Sequence, residues 1–474
     1  MQQAKGYAVV TIAHAALMEP VPLLVYWLMF LCRAFMKSKA LSSPISCVRL
    51  GLLYSSVIQE PGVERGYFRL LRCRDLTTMP GAWLSSPLRK ALARLLVALG
   101  LTLWLGVAAA QSTWLAGPEG SALSLDEALQ RAQDGDTVEL LPGEYKGGLV
   151  LENRRLTLRG APGQAPLIKG DGKPAASKAL WIVRGGQVTL RNLEFRGARG
   201  ADGSGAGVRQ EGGDLVLDHC TFYDNEHGLL ATNDDKATLT IEASAFGLAP
   251  KVVGGLHHLL NVGRIARLSI TGSRFQQGFE GHLIKTRARE NLIAYNFIHD
   301  GQRGGASYEI DIANGGLATI LGNVIGQGAD SQNRVMLAYA TEDRAWDRNK
   351  LVVAHNTFVN YGWVPAWTLR VLREHLPPDT PVLGINNLIV GGGVFGWGAL
   401  GEFAGNRHAT RGMLRDAETY AFELPPGSLW RDSGVDPRNM AGQDLSPKAE
   451  FEWPVGTKAL SPGRTTWAPG AYQR

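Results

Sequence analysis

The sequence has 474 residues and a formal charge of +6, but this basic excess is unevenly distributed. Residues 1–110 hold 12 of the 49 Lys and Arg and 4 of the 43 Asp and Glu, so the rest of the chain has 37 basic and 39 acidic side chains, a net charge of −2. Such a near-neutral body gives no electrostatic reason to expect a nucleic-acid partner. Three of the four cysteines also lie before residue 110, which leaves Cys220 alone and excludes a disulfide framework from the body.

A second start signal lies inside this basic leader. From Met79 the chain carries three basic residues, an apolar run at 95–107 and then an alanine triplet. This order is typical of a secretory signal peptide, and the run is shorter than the roughly 20 residues that a membrane span needs. We therefore predict a signal peptide at 79–110, and a secreted or periplasmic protein with no stable membrane span after cleavage. Residues 1–78 are interpreted as a misassigned extension, and the alternative is a genuine membrane-associated N-terminus.

A repeat runs through most of the body. Short runs rich in β-branched and aromatic residues each end near a large apolar residue, here called a landmark, and the spacing between landmarks varies. A Cys, Ser or Asn stands two positions before each landmark. A variable period with a fixed local signature predicts a solenoid of short strands, whose stacked asparagines hydrogen-bond from coil to coil. The landmarks are Phe222, Phe246, Phe275, Ile298, Ile325, Phe358 and Ile389, and the residues before them are Cys220, Ser244, Ser273, Asn296, Asn323, Asn356 and Asn387.

The body opens with the signature of a helix. Ser124 and Glu127 have the spacing of a capping box, and Leu125 and Leu129 fall on one helical face. We expect this amphipathic helix to cover the end of the stack, where an open sheet edge would otherwise invite aggregation.

The run LDEALQRAQDGDTVELLPGEY, followed by LTLRG and by coils of Asn-x-apolar form, resembles the entry to secreted right-handed β-helix proteins of the pectin-lyase-like superfamily. The resemblance covers about 123–387. It implies an all-β fold, a right-handed parallel β-helix with an N-terminal capping helix, at 111–390. Beyond that point the repeat fades, so we expect an irregular C-terminal cap or tail at 391–474.

One stretch of the repeat, GHLIKTRARENLIAYNFIHDGQRGGASYEIDIANGG, concentrates charged side chains. Side chains alternate along a strand, so if the small and apolar residues point inward, Lys285, Arg287 and Arg289 share an outward face. On the next coil the same rule leaves Glu309 and Asp311 outward. Such an array is either a ladder of surface ion pairs or a surface that binds an acidic polymer.

The sequence leaves the pairing of these charges open between two registers. A coil as long as the interval from Phe222 to Phe246 pairs Lys285 with Glu309 and Arg287 with Asp311. Counting back from the asparagine positions instead shifts the register by about one residue or more.

Within the superfamily, HLIKTRARENLIAYN resembles a segment of the polysaccharide lyases that cleave alginate and dermatan-type glycosaminoglycans. Matching the asparagines implies that His282 stands where that family has a calcium-binding Glu, and Arg287 where it has the lysine base. The family's catalytic Arg would fall near Ala313. An arginine is too basic to act readily as a base, so Lys285 or a nearby His or Tyr is the better candidate. Calcium is implied by the resemblance but not supported by these residues, and we predict no cofactor and no metal ligand.

The function expected from these residues is action on, or binding of, an acidic polysaccharide by a monomeric secreted protein, with β-elimination as the favoured reaction. One alternative is a non-catalytic glycan-binding or envelope protein, and another is a polysaccharide hydrolase, for which Glu309 and Asp311 are the best local carboxylates. The candidate catalytic residues are Lys285, Arg287 and Tyr308, and the candidate substrate-binding residues are His257, His258, His282, Arg289, Glu309, Asp311 and Asn314.

Overall fold

The computed structural model describes residues 111–118, 121, 123–161, 163–171, 178–331, 333–396, 401–440 and 442–473. The extension and the signal peptide that we predict at 1–110 lie outside this part of the chain. Within it, the chain forms a right-handed parallel β-helix with a short capping helix, as the sequence predicts. No helix in the described ranges is long and apolar enough to span a membrane.

Three parallel sheets, here called A, B and C, run along the solenoid. Sheet A consists of Thr113–Ala116, Thr137–Leu140, Arg155–Gly160, Gln187–Arg191, Asp214–Asp218, Asp234–Glu242, Ile265–Thr271, Glu290–Ala294, Leu317–Leu321, Lys350–Ala354, Val382–Ile385 and Glu402–Ala404. Sheet B consists of Glu144–Lys146, Leu167–Lys169, Glu194–Arg196, Thr221–Tyr223, Ala245–Gly247, Arg274–Phe275, Phe297–His299, Val324–Gln327, Thr357–Asn360, Leu388–Val390 and Arg407–Ala409. Sheet C consists of Leu149–Glu152, Ala179–Arg184, Ala206–Gln210, His227–Ala231, Leu260–Val262, Ile284–Thr286, Tyr308–Ile312, Val335–Tyr339, Ala366–Val371 and Gly393–Val394.

The apolar landmarks form a column inside the solenoid. Phe222, Phe246 and Phe275 stack with ring centroids 4.6 and 4.7 Å apart and nearly parallel planes. Phe195 continues the stack one coil earlier, at 5.0 Å from Phe222. The ring spacing matches the distance between neighbouring strands, so each coil adds one ring to a continuous buried core.

The predicted asparagine ladder is confirmed. Asn323 Oδ1 accepts hydrogen bonds from the backbone and side-chain nitrogens of Asn296, and Asn356 Oδ1 does the same for Asn323. The ladder continues through Asn387 to Asn406, which the landmark pattern did not include. Each amide therefore satisfies polar groups that the stacked turns would otherwise bury unpaired.

The first helix, α1, spans Leu125–Arg131 and begins with the predicted capping box. Glu127 Oε2 accepts the amide hydrogen of Ser124 at 2.9 Å, and Ser124 Oγ accepts that of Glu127 at 3.3 Å. Its buried Ala128 and Leu129 face the first coils of the solenoid.

The C-terminal segment after the last coil packs back on the solenoid. Phe422 and Phe451 are buried in one cluster with Phe297 of sheet B. Gln473 lies within hydrogen-bonding distance of His355. The segment contains an antiparallel pair of strands, Ala449–Phe451 with Thr457–Ala459. It also contains two short 3-10 helices, Arg411–Met413 and Ala417–Thr419, and a third one described in the structure, Arg373–His375, lies earlier in the chain.

Candidate functional site

The predicted charged stretch lies on the outward face of sheet C. Lys285 pairs in register with Asn261 on the preceding strand and with Asp311 on the following one. Ile284 and Thr286 on either side of Lys285 are fully buried, as strand alternation predicts. Lys285 thus faces Asp311, and the register that pairs it with Glu309 is wrong.

Glu309 does not lie on this face, so its predicted place among the outward carboxylates is wrong. The strand bends after Tyr308, so that Glu309 and Ile310 both turn inward and are fully buried. Gln327 Nε2 donates to Glu309 Oε2 at 3.3 Å inside the solenoid. Burial, together with the nearby Asp300 carboxyl, raises the pKa of Glu309 well above its usual range. Glu309 is therefore an internal group that does not face a ligand on the sheet.

A different carboxylate takes the place that Glu309 was expected to fill. Glu342 lies in the loop that connects sheet C to sheet A after Val335–Tyr339. Its Oε1 is 3.2 Å from Lys285 Nζ, and the Arg287 guanidinium holds both carboxylate oxygens, at 2.7 and 2.8 Å. Lys285 Nζ also lies 3.5 Å from Asp311 Oδ2. Two cations and two carboxylates therefore meet on one face, and Lys285 stands between the carboxylates.

The two carboxyl groups have opposite pKa shifts. Burial raises the pKa of Asp311, whose side chain is 1 % exposed, although Lys285 and the Thr341 hydroxyl favour its ionised form. Burial acts in the same direction on Glu342, but there the hydrogen bonds and charge of Arg287, with Lys285, dominate and lower the pKa to about 2. Glu342 is therefore ionised at neutral pH.

A polar cleft of about 460 Å³ opens beside this cluster. Its walls include Asn261, Arg264, Arg287 and Asn314 as well as Glu342. Asn314 Nδ2 donates to Glu342 Oε2 at 3.2 Å, and Arg264 donates to Asn314 Oδ1 at 3.3 Å. Donors therefore outnumber carboxylates along this wall, which suits it to an anionic or hydroxyl-rich ligand.

A row of aromatic rings runs alongside the charged cluster. The His258 and His282 rings stack at 4.7 Å, the His282 and Tyr308 rings stack at 4.6 Å, and His227 extends the row at 5.8 Å from His258. The backbone amide of each following coil donates to the Nδ1 of the preceding imidazole, at 3.3, 2.8 and 3.2 Å. In the neutral rings of His258 and His282 the proton is therefore on Nε2, which leaves this nitrogen a donor rather than a base. His227 Nδ1 also lies 3.1 Å from His258 O, so its contacts do not fix its tautomer.

These imidazoles stay neutral at ordinary pH. Burial and the neighbouring Lys285 and Arg287 lower the pKa of His282 to about 3. Burial and the flanking imidazoles lower that of His258 well below its usual value. The row thus presents neutral N–H donors beside a cationic cluster.

Two predicted binding residues lie away from the cluster. His257 is 3 % exposed and its ring packs edge-on against that of His227 at 6.2 Å, so its predicted place on the outward face is wrong. The main chain turns at this point, and only the next residue, His258, joins the row. Arg289 is exposed, as predicted, but its Cζ lies 5.8 Å from the centre of the Trp346 ring, at the edge of the site.

The donor set around His282 does not fit the calcium site that the lyase resemblance implies. Calcium takes six to eight oxygen ligands. His282 Nδ1 is occupied by the Tyr308 amide, and its Nε2 is 3.6 Å from Asp311, whose carboxylate faces the Lys285 ammonium. In the described part of the chain, no group of three or more His, Cys, Asp or Glu side chains is placed to hold a metal ion. We derive no step through calcium.

Sequence reasoning missed Glu342, Arg264, Asn261 and His227. Glu342 lies in the long interval between Ile325 and Phe358, which indicated an inserted loop. The amino-acid sequence of this loop contains no pattern that shows that it folds back over sheet C. Asn261 lies one coil before Lys285, which only a known register could have revealed.

No protein-family model matches the sequence, and no curated protein matches it significantly. Four solved chains are similar in structure. One is the crystal structure of pectate lyase Pel9A, which is 13 % identical, with an alignment that covers 71 % of this chain and 95 % of that chain at a TM-score of 0.50. At this identity the match shows the fold alone, a parallel β-helix.

Proposed function

We propose that the outward face of sheet C binds an acidic polysaccharide and cleaves it by β-elimination. The observation that carries this proposal is that Lys285 and Arg287 already hold a carboxylate, that of Glu342, beside an open polar cleft. The carboxylate of a uronic acid presents the same group to the same donors. The fold shared with a pectate lyase supports this substrate class, and the signal-peptide pattern at 79–110 supports action outside the cytoplasm.

β-Elimination needs a cation that neutralises the uronate carboxylate, a base that takes the proton on the adjacent carbon, and a donor for the leaving oxygen. Arg287 is the neutralising group, because a guanidinium binds a carboxylate through two parallel hydrogen bonds. Lys285 is the candidate base, and to act as one it must first pass its ammonium proton to a neighbouring carboxylate such as that of Asp311, 3.5 Å away. Tyr308, whose ring continues the imidazole row, is the proton donor to the leaving oxygen.

Hydrolysis is the second candidate function, and it is favoured by the pairing of Asp311 with Glu342. Their oxygens lie 3.5 and 3.2 Å from the same Lys285 Nζ, so the two carboxyl groups are close neighbours. Glycosidases use two carboxyl groups at about 5 to 9.5 Å, one protonated and one ionised. The raised pKa of Asp311 and the lowered pKa of Glu342 fit those two states. Asp311, however, is almost completely covered by its neighbours.

Incubation of the purified protein with polygalacturonate, alginate and chondroitin-type polymers tests the proposal. Ultraviolet absorbance of new unsaturated ends is read in parallel with reducing ends. Absorbance that rises with wild type and is lost with Lys285→Ala or Arg287→Ala supports elimination. Arg267→Ala is the control, because Arg267 pairs with Glu290 on sheet A, away from the cleft.

Three other outcomes would contradict elimination. Reducing ends without absorbance indicate the hydrolase, and loss of that activity in Asp311→Asn would assign it to the carboxyl pair. Binding without either signal indicates a non-catalytic glycan-binding protein. No binding to any uronate polymer removes the substrate class.

A further inference from the structure

We infer that Lys285, Arg287 and Asn314 form a subsite for the carboxylate of a uronic acid, and that the Glu342 carboxylate is a built-in competitor for this subsite. A sugar carboxylate enters the subsite by displacing the Glu342 carboxylate from these three residues. This inference rests on the proposed function, because it concerns the regulation of that same site.

The Glu342 carboxylate is bound as a ligand would be. Arg287 contacts both of its oxygens, Lys285 Nζ reaches Oε1 at 3.2 Å and Asn314 Nδ2 reaches Oε2 at 3.2 Å. Lys285 and Arg287 lie on one coil and Asn314 on the next, whereas Glu342 comes from the coil after that. A short loop thus delivers one carboxylate into a pocket of donors that it does not itself supply.

The side chain can leave without the loop unfolding. The backbone amide of Glu342 donates to Ala313 O at 2.9 Å, and that of Trp346 donates to Asn314 O at 3.1 Å. Trp346 also donates through Nε1 to Arg287 O at 3.0 Å, and its ring lies 3.6 Å from the Arg264 Cζ. None of these contacts uses the Glu342 carboxylate. Because that side chain is 31 % exposed, rotation about its own bonds moves the carboxylate into water.

Exchange of one carboxylate for another leaves the charge of the cluster unchanged. A single uronate therefore gains little, because it replaces contacts that the protein already makes and must compete with a tethered group at high effective concentration. A polymer gains more, since further sugar units contact the cleft and the imidazole row. The competitor thus lowers the affinity of both by the same factor, so that at low concentration only long acidic chains, which make the additional contacts, are bound.

Calorimetric titration of the full-length protein with polygalacturonate at low salt tests this inference. Glu342→Gln should bind roughly three- to tenfold more tightly than wild type, because the neutral amide competes less well for the two cations. Glu342→Asp keeps the charge but shortens the side chain by one methylene, so it should give a smaller gain. Glu290→Gln is the control, because Arg267 holds one oxygen of that carboxylate, Oε2, with two N–H groups on sheet A.

Equal or weaker polymer binding by both Glu342 variants, with melting temperatures like that of wild type, would overturn the inference while leaving the proposed function intact. If wild type releases reducing ends without ultraviolet absorbance and Glu342→Gln loses that release, the inference is also overturned, because Glu342 then belongs to the hydrolytic pair. If wild type and all variants fail to bind any uronate polymer, the proposed function fails and the competitor role fails with it.

Discussion

Lys285 and Asp311 lie side by side on neighbouring strands of sheet C, and the ammonium is 3.5 Å from a carboxylate that is 1 % exposed. This contact is not an ordinary surface ion pair, because water can reach only one of its two members. An exposed ion pair contributes about 0 to 1 kcal/mol to the free energy of unfolding. When one member of a buried ion pair is removed, the other remains buried without a partner, which destabilises the protein more. Lys285 therefore has a structural role besides the one proposed in catalysis.

Replacement of Lys285 tests this role. We expect Lys285→Ala to lower the free energy of unfolding by about 1 to 3 kcal/mol at pH 7, because Asp311 then keeps the Thr341 hydroxyl but loses its ammonium partner. Addition of Asp311→Asn should recover part of the loss, since the unpaired charge is gone. Urea denaturation of the two single variants and the double variant measures the coupling. Additive losses would show that the side chains do not interact.

The asparagine ladder gives a second prediction. Asn323→Leu should cost about 1 to 3 kcal/mol for each partner left unsatisfied, because the Asn323 side chain accepts from both nitrogens of Asn296 and donates to Asn356 Oδ1 and to Ile293 O. The exposed Asn439 is the control position, where the same change should leave stability nearly unaltered. Thermal unfolding that is equally unaffected by both changes would contradict the ladder.

The column of stacked phenylalanine rings inside the solenoid gives a third prediction. Phe246→Ala should destabilise the protein by about 3 to 5 kcal/mol, because it opens a cavity between the rings of Phe222 and Phe275. Leu248→Ala, two residues later on an exposed turn, should change stability little. Similar losses for the two variants in denaturant titrations would place the Phe246 ring outside the core.

The fold could be predicted because its signals are local and repeated. Each coil brings its own apolar landmark and its own Cys, Ser or Asn, so the sequence pattern survives loops of different length. The site could be predicted only in part, because it depends on how neighbouring coils align. The bend after Tyr308 turns Glu309 inward, and one misplaced residue changes which carboxylate faces Lys285. Glu342 reaches the site from an inserted loop, whose path no periodicity describes.

The last prediction concerns the dependence of stability on pH, and it rests on Asp300, a buried carboxyl group in the turn between sheets B and C. Asp300 accepts the amide hydrogens of Gly278 at 2.6 Å and Ala306 at 2.8 Å, which ties together the turns of two successive coils. Burial raises its pKa to about 7, although these two hydrogen bonds favour the ionised form. The Asp300 carboxyl in turn contributes, after burial, to the raised pKa of Glu309.

A folded-state pKa above the ordinary value of 3.8 means that the folded protein favours the protonated acid. The stabilisation from this group is therefore complete below about pH 4 and is lost as the pH rises through about 7, with a slope of at most about 1.4 kcal/mol per pH unit. The buried histidines act in the opposite direction, so the informative quantity is the difference between wild type and Asp300→Asn. That difference should favour wild type most at pH 4 and shrink towards pH 8 in urea titrations. Asp330→Asn, at an exposed carboxylate paired with Arg303, serves as the control. A difference that is constant across this range, or that grows with pH, would show that Asp300 is ionised throughout and that burial does not govern its protonation.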